Sequence, residues 1–303
     1  MLRFLPSPLS ATIMFLLFVF NLLLWAIPVY TMILVKLVTW GSWSRWATRT
    51  MAGFAQGWAA SNVWLGDHLL GTEWDIEGVS RLDLKGQYLV TANHQTWNDI
   101  YVLMKAFGRN APFFKFFLKQ QLIWVPVLGP VWWALDYPFM KRHSREAIKA
   151  NPALASQDFE ATRRACDRYQ GQPVMILNFL EGTRFTAEKH SRQGSSYRHL
   201  LRPKAGGLIF ALQAMGEKLS SILDVTIVYP DGACGFMAFF GGKMRKVIVR
   251  VREIPVPKDF YDGDYAGDAA FRQRVHGWVS EIWAEKDQLI DSFLPSSTSE
   301  RAV

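Results

Sequence analysis

A histidine and an aspartate five positions apart, His94 and Asp99, lie in the run Asn93-His-Gln-Thr-Trp-Asn-Asp99. His94 closes GQYLVTANH (86–94), a short apolar run between turn formers, which reads as a buried central strand. The histidine therefore falls at the C-terminal end of a strand, the edge at which α/β proteins build their sites. Asp99 stands near the start of the next helix, and the spacing can bring its carboxylate back under the imidazole. An aspartate on one ring nitrogen fixes the tautomer and leaves the other nitrogen as a general base. No serine or cysteine nucleophile is needed when the attacking hydroxyl belongs to the substrate. The spacing by itself fits a structural His–Asp pair equally well.

A second group of polar residues follows a second apolar strand: Asn178-Phe-Leu-Glu181-Gly182-Thr183-Arg184 after VMIL. A parallel sheet would bring this strand end to the same edge as His94. Arg184 can take a phosphate bidentately. Glu181 can fix that arginine or a substrate hydroxyl, and Gly182 allows a tight turn; the same four residues could make a solvated turn. Lys141 and Arg142, after YPFM, are either a basic surface pair or, with Arg184, part of a pocket for a phosphate monoester. Lys119, in the aromatic and basic run FFKFFLKQQL (113–122), adds a further candidate substrate-binding cation.

The elements that must position these residues alternate between strand and helix. Strands are expected at 74–82, 86–94, 171–184, 220–230 and 246–254. Helices are expected at 99–107, 158–170, 204–215 and 266–294. Such alternation implies an α/β fold with a largely parallel sheet flanked by helices. No internal repeat, P-loop or dinucleotide fingerprint is present; GGKMRK (241–246) lacks the P-loop spacing.

Residues 9–35 carry no charged side chain, which is long enough to span a bilayer. Asn21 and Pro28 interrupt the run, so it reads either as one kinked span or as two helices dipping into one leaflet. Arg3 precedes it and Lys36, Arg45 and Arg49 follow, which places the C-terminal flank in the cytoplasm. The stretch 38–64, with Trp40, Trp43, Trp46, Trp58 and Trp64 among small and basic residues, has the texture of an interfacial helix. The expected organisation is a membrane anchor with interfacial helices over 1–64, a catalytic domain over 65–294 and a disordered tail over 295–303. The net charge of +8 suits anionic partners; the apolar N-terminus argues against nucleic acid. Cys166 and Cys234 form no CxxC pair, which excludes a zinc knuckle, and they read as reduced thiols. No acidic cluster suggests a metal.

Together these residues resemble the 1-acylglycerol-3-phosphate acyltransferase family, in particular its lysocardiolipin and lysophospholipid acyltransferase branch and bacterial relatives. Four blocks carry the resemblance: NHQTWND (93–99), VPVLGPVWWALDYPFMKR (125–142), NFLEGTRFT (178–186) and VTIVYP (225–230). LLRPKAGGL (200–208) resembles the basic segment that follows the third block. The resemblance implies His94 and Asp99 as the catalytic pair. It implies Arg142, Glu181, Gly182, Thr183 and Arg184 at the acceptor phosphate, and Pro230 closing a strand near the site. It implies a donor thioester of coenzyme A or acyl carrier protein, a lysophospholipid acceptor, no cofactor, and a bacterial inner membrane with the catalytic domain facing the cytoplasm.

One departure bears on the acceptor. The segment 184–204, RFTAEKHSRQGSSYRHLLRPK, is longer and more basic than in the simple bacterial form. It reads either as a contact for a larger anionic headgroup or as a disordered solvated loop. The apolar stretch 113–133 is expected to line an acyl channel. A membrane-held lipid-binding protein without turnover and a hydrolase directing His94 at water are the competing readings.

Overall fold

The computed structural model describes residues 4–140 apart from 80 and 81, residues 172–294 apart from 217 and 218, and residues 2, 160, 164, 166 and 169. Its strands are β1 Glu73–Glu77, β2 Gln87–Ala92, β3 Phe114–Phe116, β4 Leu118–Lys119, β5 Phe139–Met140, β6 Val174–Phe179, β7 Ser221–Val228 and β8 Lys246–Ile254. Six of them form one sheet in the order β1-β8-β7-β2-β6-β3, while β4 and β5 pair separately. Every neighbouring pair in the sheet is parallel except β7 with β8. The α/β class expected from the alternation is the one observed.

The central strands are apolar on both faces, as a covered parallel sheet requires. Leu89, Val174, Ile176 and Ile222 pack into a core on one face, and Tyr88, Val90, Met175 and Leu223 into a core on the other. The first face is covered by α6 Ala205–Met215 and α8 Ala269–Phe293, the second by α3 Asp99–Phe107 and α7 Phe236–Phe240. Two shorter helices are α4 Leu128–Ala134 and α5 Ala187–Gln193. The strand expected over 74–82 stops at Glu77. Gly78 has φ +79°, and a Cβ there would lie 1.8 Å from the carbonyl oxygen of Val251, so the chain turns off the sheet at a position open only to glycine. The expected helix over 158–170 and the expected tail over 295–303 lie mostly and wholly outside the described residues, as do Lys141 and Arg142.

The N-terminal 69 residues form a helical hairpin, α1 Ser7–Val38 and α2 Gly41–Leu69. Helix α1 continues through Pro28 as one element about 48 Å long. Among the described residues it alone is long and apolar enough to cross a membrane. It is also attached to the rest of the fold from end to end. Ser7 Oγ donates to the Gly241 carbonyl, Met14 is fully buried, and Phe18 packs against Tyr101 and Phe240. Farther along, Tyr30 donates to the Val127 carbonyl, and Lys36 reaches Asp136 at 3.0 Å. The expected boundary at residue 64 falls inside α2, and Ala11 and Met14 share a core with the sheet.

The asparagine in the apolar run is what sets the hairpin's register. Asn21 Nδ2 donates to Asn62 Oδ1 at 2.7 Å, Ser61 Oγ donates to Asn21 Oδ1 at 2.9 Å, and Trp25 Nε1 donates to Ser61 Oγ at 3.1 Å. Asn21 and Asn62 are both buried. Removing one partner from such a pair strands the other, whereas replacing both by apolar groups is nearly neutral. We predict that Asn21→Leu destabilises the protein by about 1–3 kcal/mol and that adding Asn62→Leu recovers most of the loss. Thermal unfolding of the two variants in detergent checks this; additive losses would mean that the pair is not coupled.

Candidate active site

Parallel pairing sets β2 beside β6 with Thr91 opposite Asn178 and Ala92 opposite Phe179. The turns after the two strands therefore leave the sheet side by side. Phe185 N donates to the His94 carbonyl at 2.7 Å, and His94 N donates to Glu181 Oε1 at 2.9 Å. The two blocks read from the sequence form one site.

Asp99 is fully buried and accepts four hydrogen bonds. Its Oδ2 takes His94 Nδ1 at 2.7 Å, Gln95 N at 2.6 Å and Thr96 N at 3.0 Å. Its Oδ1 takes the Tyr229 hydroxyl at 2.6 Å. A carboxylate only accepts, so the ring proton of His94 sits on Nδ1 and Nε2 keeps its lone pair. Burial, then the neighbouring Asp99 charge, pushes Tyr229 well above the ordinary phenol range, so it remains a donor. The imidazole lies flat on Phe179, ring centres 3.9 Å apart. Hydrogen bond and ring contact together leave the histidine one orientation. Asn93 is clamped to β7, exchanging two bonds with Ile227 at 2.8 and 2.9 Å. Thr96 and Asn98 both donate to the Cys234 carbonyl.

Glu181 is fully buried. Its second oxygen accepts Leu201 N at 3.2 Å, so the side chain ties the His94 turn to the 200–204 segment. Burial raises its pKa to about 7, opposed by the bonds from the His94 and Leu201 backbone. It faces the protein interior and not the open side of the turn where Arg184 lies. Gly182 adopts φ +67° to make that turn. Thr183 Oγ1 accepts from Lys189 at 2.9 Å. The exposed Arg184 guanidinium stacks on the Trp97 ring at 4.6 Å. Lys119 is exposed on β4 in register with Met140, next to where the second block ends. Pro230 follows Tyr229 and is half-buried.

The long segment 184–204 is built, not a solvated loop. It contains α5, capped by the Thr186 hydroxyl, and is fastened to α8. Asp287 accepts the backbone N–H groups of Arg198 and His199, Asp291 pairs with both side chains, and Trp283 Nε1 donates to the Leu201 carbonyl. Sequence reasoning missed Tyr229 and Phe179 as site residues. Tyr229 was signalled only as the one polar ring ending an apolar strand; Phe179 carries no chemical signal. Among the described residues no group of His, Cys, Asp and Glu is placed to hold a metal, and neither cysteine is in a disulfide.

A cavity of about 330 Å³ lies between the helical hairpin and the sheet, lined by Trp25 and Val29 of α1, Phe54 of α2, Leu103 of α3, Trp132 of α4 and Leu177 of β6, among others. Leu177 and Phe179 lie on the same face of β6, about 7 Å apart along the strand.

The Acyltransferase family model matches residues 73–230. An acyltransferase of Saccharomyces cerevisiae is 26% identical over 236 residues, 69% of this chain and 59% of its own. The 1-acyl-sn-glycerol-3-phosphate acyltransferase gamma of Mus musculus is 25% identical over 191 residues, 59% of this chain and 45% of its own. The chain thus spans about half the length of the curated relatives it matches. The crystal structure of the 1-acyl-sn-glycerophosphate acyltransferase of Thermotoga maritima has the same fold. It aligns with TM-score 0.51 and 17% identity over 89% of this chain and 95% of that one. With the His94–Asp99 pair and the Glu181–Arg184 turn both inside the matched region, the chain belongs to the acyltransferase family.

Proposed function

We propose that the protein transfers a fatty acyl group from the thioester of coenzyme A or acyl carrier protein to the free sn-2 hydroxyl of 1-acyl-glycerol-3-phosphate or a related lysophospholipid. The observation that carries this reading is an imidazole whose Nδ1 is committed to a buried carboxylate and whose Nε2 meets no nucleophilic side chain among the described residues. Cys234 is a poor nucleophile, since burial raises its pKa. The acceptor hydroxyl therefore attacks the thioester directly. His94 takes its proton as the C–O bond forms, Asp99 stabilises the imidazolium, and the thiolate leaves as the tetrahedral intermediate collapses. In the two turns, the N–H groups of His94, Gln95, Thr96, Asn98 and Gly182 are already bonded. Those of Trp97, Thr183 and Arg184 are left for the oxyanion. Arg184 holds the acceptor phosphate, with Lys119, Lys141 and Arg142 as the further candidates that the sequence offers.

The apolar cavity takes an acyl chain, which runs from Phe179 past Leu177 toward α1 and α2. Helix α1 lies in one leaflet and does not cross the bilayer. It touches the catalytic body over its whole length, and a crossing would carry polar loops of that body into hydrocarbon. Its outward residues Phe20, Leu24, Ile27 and Leu34 are exposed, and Trp40, Trp43 and Trp46 at the hairpin turn suit headgroup depth. The catalytic domain faces the cytoplasmic side.

Purified protein given acyl-CoA and 1-acylglycerol 3-phosphate is expected to release thiol and form a diacyl product detected by mass spectrometry. Free fatty acid in its place would mark a hydrolase, and no turnover a binding protein. His94→Ala is expected to lower kcat about 100- to 10,000-fold with an unchanged melting temperature. More than a tenth of wild-type kcat would remove His94 from its role. Arg184→Ala is expected to lower kcat/KM for the acceptor about 10- to 150-fold, the value of one charged hydrogen bond. The donor KM should stay unchanged.

Glu181 generates a prediction about pH. Its folded pKa, about 7, lies above the ordinary 4.5, so the fold favours the neutral carboxyl. That contribution to stability is fully present below about pH 4.5 and lost as pH rises through about 7. Gln does not titrate. The stability difference between wild type and Glu181→Gln should therefore shrink by roughly 3 kcal/mol between pH 4.5 and 8. Thermal unfolding across that range checks it; a difference independent of pH would show that Glu181 does not titrate there.

A further inference from the structure

The turn after β6 gathers more positive charge than the four matched blocks supply. Arg184 stacks on Trp97, which is 63% exposed, so its guanidinium has a fixed plane with open edges. Lys189, from α5, donates from Nζ to Thr183 Oγ1 and to the Arg184 carbonyl, each at 2.9 Å. The ammonium is thus seated on the turn itself. On the other side, a Cβ on Gly182 would lie 2.7 Å from Lys204 Nζ, so glycine is what lets that third cation approach. Among the described residues no carboxylate lies within ion-pair distance of Arg184 or Lys189. The one acid of the turn, Glu181, points inward and is fully buried. The acid of α5, Glu188, faces Arg192. An anion seated at this turn would be attracted by each of these cations.

We propose that Lys189 supplies the second positive charge of an anion seat centred on Arg184, with Lys204 flanking it and Trp97 fixing the arginine, and that this seat selects phosphate monoesters over phosphodiesters. The proposal rests on the acyl-transfer reading above. It gives the long basic segment a purpose: its fastening to α8 holds two lysines at a turn that otherwise has one cation. A monoester carries close to two negative charges at neutral pH, a diester one. A seat of two or three cations therefore gains most from the monoester.

The test uses the full chain in detergent. The acceptors are 1-oleoyl-glycerol 3-phosphate and 1-oleoyl-lysophosphatidylglycerol. Lys189→Gln is expected to raise KM for the monoester about tenfold or more, as loss of a charged contact does. KM for the diester should rise about threefold or less and the donor KM should be unchanged. Lys189→Arg should restore most of the loss. Trp97→Ala should weaken monoester use about three- to fivefold, as expected for an exposed cation–π contact, but add nothing in the Arg184→Ala background. Equal loss of kcat on both acceptors with KM unchanged would overturn the proposal and leave Lys189 as a brace for the turn. Should wild type transfer acyl groups to neither acceptor, the functional reading fails by itself. The seat is then judged by saturable binding of glycerol 3-phosphate in calorimetry, retained by wild type and lost in Lys189→Gln; absence of binding would overturn it too.

Discussion

The buried carboxylate of Asp99 organises the site. A charge removed from water must be met by donors or it is strongly unfavourable. Four donors meet this one: the imidazole, two backbone N–H groups of the 95–96 turn and the Tyr229 hydroxyl. Satisfying them curls the chain after β2 back on itself, starts α3 at Asp99 and brings the end of β7 underneath. The direction of the imidazole follows, because the nitrogen that meets Asp99 decides which nitrogen faces outward.

A second buried acid extends the same logic across the sheet edge. Glu181 accepts from the His94 and Leu201 backbone and so joins the turns after β2 and β6 to the 200–204 segment. On the face of the sheet that α8 covers, Lys286 of α8 meets Asp224 at 2.9 Å, both fully buried, and Thr91 and Arg252 complete the shell of Asp224. Helix α8 is thus fastened beneath the catalytic strands. Through Trp283 and Asp287 it also holds the segment that Glu181 grips. The turn that carries His94 is thus fixed by buried polar groups from three distant segments.

The hairpin of α1 and α2 serves two demands at once. Its outer face is apolar enough for lipid, and its inner face walls a cavity that reaches Leu177 of β6. A buried amide and hydroxyl cluster at Asn21, Ser61 and Asn62 gives this otherwise greasy pair one register, because sliding would leave polar groups unmatched. The hairpin that carries the apolar outer face therefore also walls the cavity.

The sequence alone determined the fold class, the strands at 86–94 and 246–254, the helix at 99–107 and the pairing of His94 with Asp99. Each rests on local chemistry: period, turn formers at the ends, and a short loop that can close on itself. It also marked Arg184 as a candidate phosphate ligand on a turn after the second strand. Tertiary structure decided what depends on distant partners. Tyr229 serves Asp99 from 130 residues away, and Phe179 faces His94 only because β2 and β6 pair in register. Glu181 turned inward because two backbone donors waited there. The segment 184–204 took a fixed shape because α8 presents Asp287 and Asp291 to it. The N-terminal run reads as a span by length and apolarity, yet lies along the catalytic body. Hydropathy measures how much surface must leave water, and only packing decides which surface receives it.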